Sequence, residues 1–234
     1  MSRYRDLSIL MPQKTNLSLL LLLLVSVISN EAAARPRSID SIRIHATTIT
    51  ENSELPLALV TKRDAGIRAT IHTAGKLTRA VVLFDGNKIH LIQELTEAGS
   101  IKELNGDHAA ENLFEMLTIN PDFHFQSEKL SYQTSILNGY KIELLRDEIV
   151  TPTGIEQQPT EANLYIKNDS KLKLLRTIQY IEFFPQEDSP FHQPKRITFT
   201  DHTNASSGEI IINEVSYNSG IPDFIFELPK PLQP

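Results

Sequence analysis

The chain has 234 residues, with 23 Lys and Arg against 29 Asp and Glu, a formal net charge of −6, and neither cysteine nor tryptophan. No cluster of Lys and Arg follows Ala34, so nucleic acid is excluded as a partner, since phosphate binding depends on such clusters. Without cysteine there is no disulfide, thiolate metal site or lipid-attachment thiol, and the fold rests on packing alone.

The first element is not a structural one. The apolar run from Leu17 to Ile28 follows Arg3, Arg5 and Lys14 and precedes Ala32, Ala33 and Ala34, the layout of a secretory signal peptide with its small-residue cleavage site. This run of about twelve residues, ten of them apolar, falls short of the roughly 20 that cross a bilayer. Residues 1–34 are therefore read as a signal peptide, and the mature chain is expected to start near Arg35 as an exported, soluble, periplasmic protein. Residues 35–229 suit one domain, and 230–234 form a proline-rich tail.

The mature chain reads as short period-two stretches separated by turn residues, the pattern of antiparallel strands. Ile42, Ile44 and Ala46 alternate with Arg43 and His45, and Ile67, Ala69 and Ile71 with Arg68, Thr70 and His72. Asp85-Gly86 separates Val81–Phe84 from Ile89–Ile92, and Asn138-Gly139 separates Tyr132–Leu137 from Tyr140–Leu145; both dipeptides supply the positive φ of a hairpin turn. Asn168-Asp169 divides Ala162–Lys167 from Leu172–Phe184, Thr203–Gly208 divides Arg196–Thr200 from Glu209–Tyr217, and Phe224–Leu228 reads as a last strand. Amid these strands, Asp107 to Leu117 spaces Ala110, Leu113, Phe114 and Leu117 as one face of a helix, with Asp107 as its cap and Asn120-Pro121 as its stop. The fold class expected is mainly β with a helical component: one strongly curved antiparallel sheet, an incomplete β-barrel under a helical lid.

Catalytic signatures are missing. There is no G-x-S-x-G, no H-E-x-x-H and no glycine-rich phosphate loop, and the seven histidines lack metal-site spacing. Asp147-Glu148 and Glu187-Asp188 are read as solvated loop charges. No catalytic residue, metal or cofactor is assigned, and the chain is read as a non-enzyme.

Four stretches resemble, in order, the outer-membrane lipoprotein-sorting carriers, the LolA/LolB-like family. They are Val60–Arg68 around Lys62-Arg63, Val82–Lys88 around Asp85-Gly86, the helix at Asp107–Leu117, and the C-terminal run from Pro194 through Ile221-Pro222 to Phe224–Pro229. The resemblance covers about residues 40–229. It departs where the family carries tryptophan, where the proline after Lys-Arg is Asp64, and where a longer helix would precede the first strand.

The resemblance implies an apolar hollow that receives acyl chains of lipoproteins or other lipids, with an envelope protein as donor or acceptor. Arg63 then corresponds to a lid latch, with Ala110, Leu113, Phe114 and Leu117 on the lid. The hollow would be lined by Ile42, Ile44, Ile67, Ile71, Val82, Phe84, Phe199 and Phe226. Leu113→Asp or Leu117→Asp is expected to weaken apolar binding without unfolding. The alternative keeps the fold, fills the interior, and makes the protein a structural or regulatory envelope module that binds a protein partner.

Overall fold

Stretches rich in Ile, Val, Leu and Thr, residues that suit a pleated, half-buried surface, form the strands of the computed structural model. They are β1 (Ser41–Thr50), β2 (Ser53–Lys62), β3 (Gly66–His72), β4 (Arg79–Phe84), β5 (Ile89–Glu94), β6 (Ser100–Leu104), β7 (Tyr140–Thr151), β8 (Gly154–Asn168), β9 (Lys171–Phe183), β10 (Pro194–Asp201) and β11 (Ser206–Tyr217). The structure describes residues 39–51, 53–72, 79–94, 99–125, 135–151, 154–168, 171–185 and 191–229. The chain divides into Met1–Ser38 and Ile39–Pro234, and every described residue belongs to the second unit. The expected signal peptide and the tail at 230–234 lie outside the described residues.

All eleven strands join one antiparallel sheet in the order β6-β5-β4-β3-β2-β1-β11-β10-β9-β8-β7, which leaves it open, with β6 and β7 at its edges. Between those edge strands lie the two α-helices found among the described residues, α1 (Gly106–Thr118) and the single turn α2 (Pro121–His124). A chain that leaves one edge and re-enters at the other must traverse a face, and the helices lie on that path. The sheet bends toward them. Strands β2 and β7 are six spacings apart, about 29 Å if flat, yet α2 is touched by Arg63 from the end of β2, 5.5 Å from the Phe123 ring, and by Arg146 of β7, 2.7 Å from Asp122.

Alternation gives the sheet two faces. Ile42, Ile44, Leu59, Ile67, Val82, Phe84, Leu164, Ile178 and Ile197 share one buried cluster with Leu113, Phe114 and Leu117 of α1. Val81, Leu83 and Ile92 belong to a second, smaller cluster on the opposite face, closed by Ile221 and Phe226 of the C-terminal segment.

Several boundaries differ from the sequence reading. Phe224–Leu228 is not a strand: Asp223–Phe226 is a 3-10 turn, because β11 is already flanked by β1 and β10 and offers no free edge to the chain beyond it. Ser135–Leu137 is likewise a 3-10 turn; Gly139, at φ 93°, ends that turn rather than closing a hairpin, and Tyr140 starts the edge strand. Asp147 and Glu148 are exposed residues within β7 rather than loop charges, whereas Glu187 and Asp188 lie outside the described residues. Strands β2 and β6 and the first half of β8 lie outside the stretches that alternation marks. Asp85-Gly86 does turn the chain, with Gly86 at φ 91° and the Asp85 carboxylate accepting the N–H groups of Asn87 and Lys88 at 2.9 and 2.8 Å.

Candidate functional site

Helix α1 is amphipathic by spacing. Ala109, Ala110, Leu113, Phe114, Met116 and Leu117 recur at three- and four-residue intervals and are all buried, which is the apolar stripe of a helix laid on a core. Its N-cap is Asn105, whose side chain makes no capping bond, rather than Asp107. Asp107 instead accepts a hydrogen bond from the Tyr140 hydroxyl of β7. Burial, and then that carboxylate, push the Tyr140 hydroxyl above the ordinary tyrosine range.

One arginine fastens this helix to the sheet. Arg176 of β9 lies 3.1 Å from Glu111 and contacts Glu115, both on α1, and lies 3.1 Å from Asp201 of β10. Burial pushes the Asp201 carboxyl up, but hydrogen bonds from Thr203 and the Arg176 charge outweigh it and leave the group below its usual value. The register shift at Leu164/Tyr165 opposes Arg176 and Leu174 to consecutive β8 residues. Leu175 is therefore the extra residue of a bulge, and bulges re-aim neighbouring side chains.

Asn120-Pro121 ends α1 and also opens α2, a helix that the sequence reading did not foresee. Proline suits the first helical position because it has no N–H to lose, and the Asn120 side chain accepts the Phe123 N–H at 3.1 Å. A buried polar set holds the junction: Tyr180 donates to the Thr118 carbonyl at 3.0 Å, and Gln193 bonds Asn120 and donates to the Pro194 carbonyl at 2.9 Å. His124 is 2% exposed. Burial, followed by the nearby Arg63 charge, lowers its pKa to about 3, so its imidazole is neutral.

A pocket of about 330 Å³ opens beside α2, walled by Arg63, Asp64, Phe84, Gly86, Phe123 and His124, among others. Further out, the helix-bearing face continues along β7 and β8. Tyr140, Ile142 and Leu144 pack against the core from one side of β7. By alternation that side also carries Val150, which faces Ile155 across the β7–β8 pair; these two are 88% and 69% exposed.

The residues expected from sequence fall as follows. Ala110, Leu113, Phe114 and Leu117 are buried on the underside of α1. Ile42, Ile44, Ile67, Val82 and Phe84 belong to the cluster beneath it, with Ile71 and Phe199 packed at its margin. Phe226 does not line this face; it packs on the other one with Val81 and Leu83, because the C-terminal segment crosses the back of the sheet. Arg63 does not bond α1. Its guanidinium donates to the Ile39 carbonyl at 3.3 Å and lies over Phe123 of α2. Sequence reasoning missed Arg176, Glu111, Glu115, Asp201, His124 and Gln193. A signal existed for Arg176 alone, which holds the inward phase of Ile178 and Tyr180.

No helix among the described residues is long and apolar enough to cross a membrane, and among them no group of three His, Asp or Glu is placed to hold a metal ion. No protein-family model and no curated protein sequence matches the chain. Among solved structures, it is similar to a LolA superfamily protein from Nitrosomonas europaea, at 13% identity and a TM-score of 0.46, covering 82% of this chain and 91% of that one. It is also similar to a putative outer membrane lipoprotein-sorting protein domain from Vibrio parahaemolyticus, at 14% identity and a TM-score of 0.45, covering 86% and 94%.

Proposed function

We propose that this protein is a non-catalytic carrier that shelters acyl chains of a lipid or a lipid-modified protein against the helix-bearing face of its sheet, in the periplasm after export. The supporting observation is that the apolar face outruns its cover. Helix α1, at 13 residues, is about 20 Å long, whereas the face runs on past it through the partly exposed Ile142 and Leu144 and, beyond Arg146 and Glu148, ends in the exposed pair Val150 and Ile155. Scattered exposed apolar residues need no explanation, but here two apolar residues face each other, largely exposed, on the side of β7 and β8 that also carries the core, and such a paired exposure supports a binding surface. A chain of about 16 carbons contributes roughly 13 kcal/mol gross at about 0.8 kcal/mol per buried methylene, before ordering costs.

In this reading α1 is the lid, with Ala110, Leu113, Phe114 and Leu117 as its underside. Arg63 acts from the flank at α2. Polar contacts at Arg176 and Tyr140 hold the lid, and such contacts exchange with water when it lifts. Native purification followed by organic extraction and mass spectrometry tests the proposal: a co-purifying lipid is expected. Its absence, together with no binding of an apolar fluorescent probe, counts against it. A second reading is favoured by the complete burial of Leu113, Phe114 and Leu117. In it the interior is permanently filled and the protein is an envelope module that binds a protein partner; it predicts neither lipid nor probe binding.

A further inference from the structure

We infer that the pocket beside α2 is a seat for an anionic headgroup, carboxylate or phosphate, with Arg63 as the group that binds it; this rests on the carrier reading and specifies its ligand. The pocket joins two kinds of wall. Phe84 and Phe123 give it an apolar side, and the turn after β2 gives it a charged rim.

On that rim Arg63 is poised and uncommitted. One face of its guanidinium lies on the Phe123 ring, 5.5 Å from the centroid, and one N–H reaches the Ile39 carbonyl at 3.3 Å. It makes no ion pair among the described residues, whereas Arg146, Arg176 and Arg196 each pair with a carboxylate. A guanidinium fixed by stacking, with N–H edges left over, is the geometry that takes a carboxylate or phosphate in two parallel hydrogen bonds.

The rest of the lining supports the same ligand. Lys62 turns to the opposite side, where its ammonium meets Asp223 at 2.5 Å and the Ile221 carbonyl at 3.1 Å, so Arg63 supplies the rim's available positive charge. His124 adds an imidazole that burial keeps neutral, so it contributes no net charge to the lining. Asp64 is the carboxylate on the wall, held in the turn at φ 62° and in no ion pair with Arg63. It weakens the seat electrostatically without occupying it. At about 330 Å³ the space exceeds what a bare anion fills and admits the start of a chain beside Phe84 and Phe123.

The test compares cis-parinaric acid with its methyl ester, which has the same chain without the charge, by fluorescence titration of the full protein. The wild type is expected to bind the acid about tenfold more tightly than the ester. Arg63→Gln, an exposed substitution, should erase that preference so that acid and ester bind alike, while Asp64→Asn should increase it. Inorganic phosphate that competes with the acid but not with the ester shows that the seat also accepts the free anion, and supports the assignment. Equal binding of acid and ester by the wild type, or an acid preference that survives in Arg63→Gln, overturns the headgroup seat and leaves the carrier reading standing. Binding of neither probe by the wild type removes the carrier reading and the seat with it.

Discussion

Arg176 and Glu111 meet 3.1 Å apart across the gap between strand β9 and helix α1, with side chains that are 16% and 7% exposed. The pair ties the cover to the sheet at a point where neither residue stands out in the sequence. Glu115 and Asp201 share the same guanidinium, so one cation serves three carboxylates, and removing it leaves charge that burial cannot tolerate. Arg176→Met is therefore expected to destabilise the domain by about 3–5 kcal/mol, the usual cost of orphaning a buried ionic partner. Urea unfolding measures this. Combining it with Glu111→Gln should recover part of the loss, and strictly additive single and double variants would show that the two residues do not act together.

The underside of α1 is a core surface as well as a lid surface. Leu113 and Leu117 are both 0% exposed, which corrects the expectation that Asp at either position leaves the domain folded: a carboxylate there would be buried without a partner. Leu117→Ala is the tractable change. It should cost about 2–5 kcal/mol by lost transfer energy and a residual cavity, and a urea midpoint equal to that of the parent would show that the helix does not pack as described.

His124 makes the protein acid-sensitive. Its folded pKa of about 3 lies below the unfolded value of about 6.5, so the unfolded chain binds the extra proton first as pH falls. Stability is unaffected by this group above about pH 6.5, declines between about 6.5 and 3, and is fully reduced by its contribution below that range. The contribution is a few kcal/mol. Thermal melts of His124→Gln across these pH values should show a shallower acid limb than the parent; parallel limbs would contradict the burial of this imidazole.

Gly208 of β11 lies between Thr50 of β1 and Phe199 of β10. A Cβ at this position would overlap the Phe199 ring and approach the Ile49 carbonyl oxygen to 2.7 Å. Gly208→Ala should cost about 1–3 kcal/mol through overpacking, and Phe199→Leu in the same chain should relieve most of that cost. A fully tolerated alanine would mean that the ring does not cover the glycine.

Val150 and Ile155 separate binding from folding. Both are largely exposed, so replacing the pair with serine should change stability by no more than about 0.5 kcal/mol for each substitution. If the pair belongs to the binding face, binding of an apolar probe falls in the same variant. Unchanged probe affinity with a parental melting curve would place the binding surface elsewhere.

Local chemistry made much of this architecture legible in the sequence. The alternation at Ile42–Ala46 and Ile67–Ile71 announces strands, since a pleated backbone with one wet face needs a period of two. Asp85-Gly86 announces a turn, because only a few residues tolerate its backbone. The stripe at Ala110, Leu113, Phe114 and Leu117 announces a helix with one buried side. In each case the cause lies within a few residues of the effect.

What only the tertiary structure decided depends on residues brought together from far along the chain. Phe226 looks like another apolar wall residue until the chain after β11, denied a free edge, crosses the back of the sheet. Arg63 reads as a latch for the long helix, yet the bend of the sheet sets it against Phe123 of a one-turn helix that begins at the residue expected only to stop α1. Arg176 meets Glu111, Glu115 and Asp201 because a bulge at Leu175 and a crossover from β6 to β7 bring them to one point. The register of distant strands and the direction of an edge-to-edge crossing are set by the packing of the whole sheet, and no local pattern of residues encodes them.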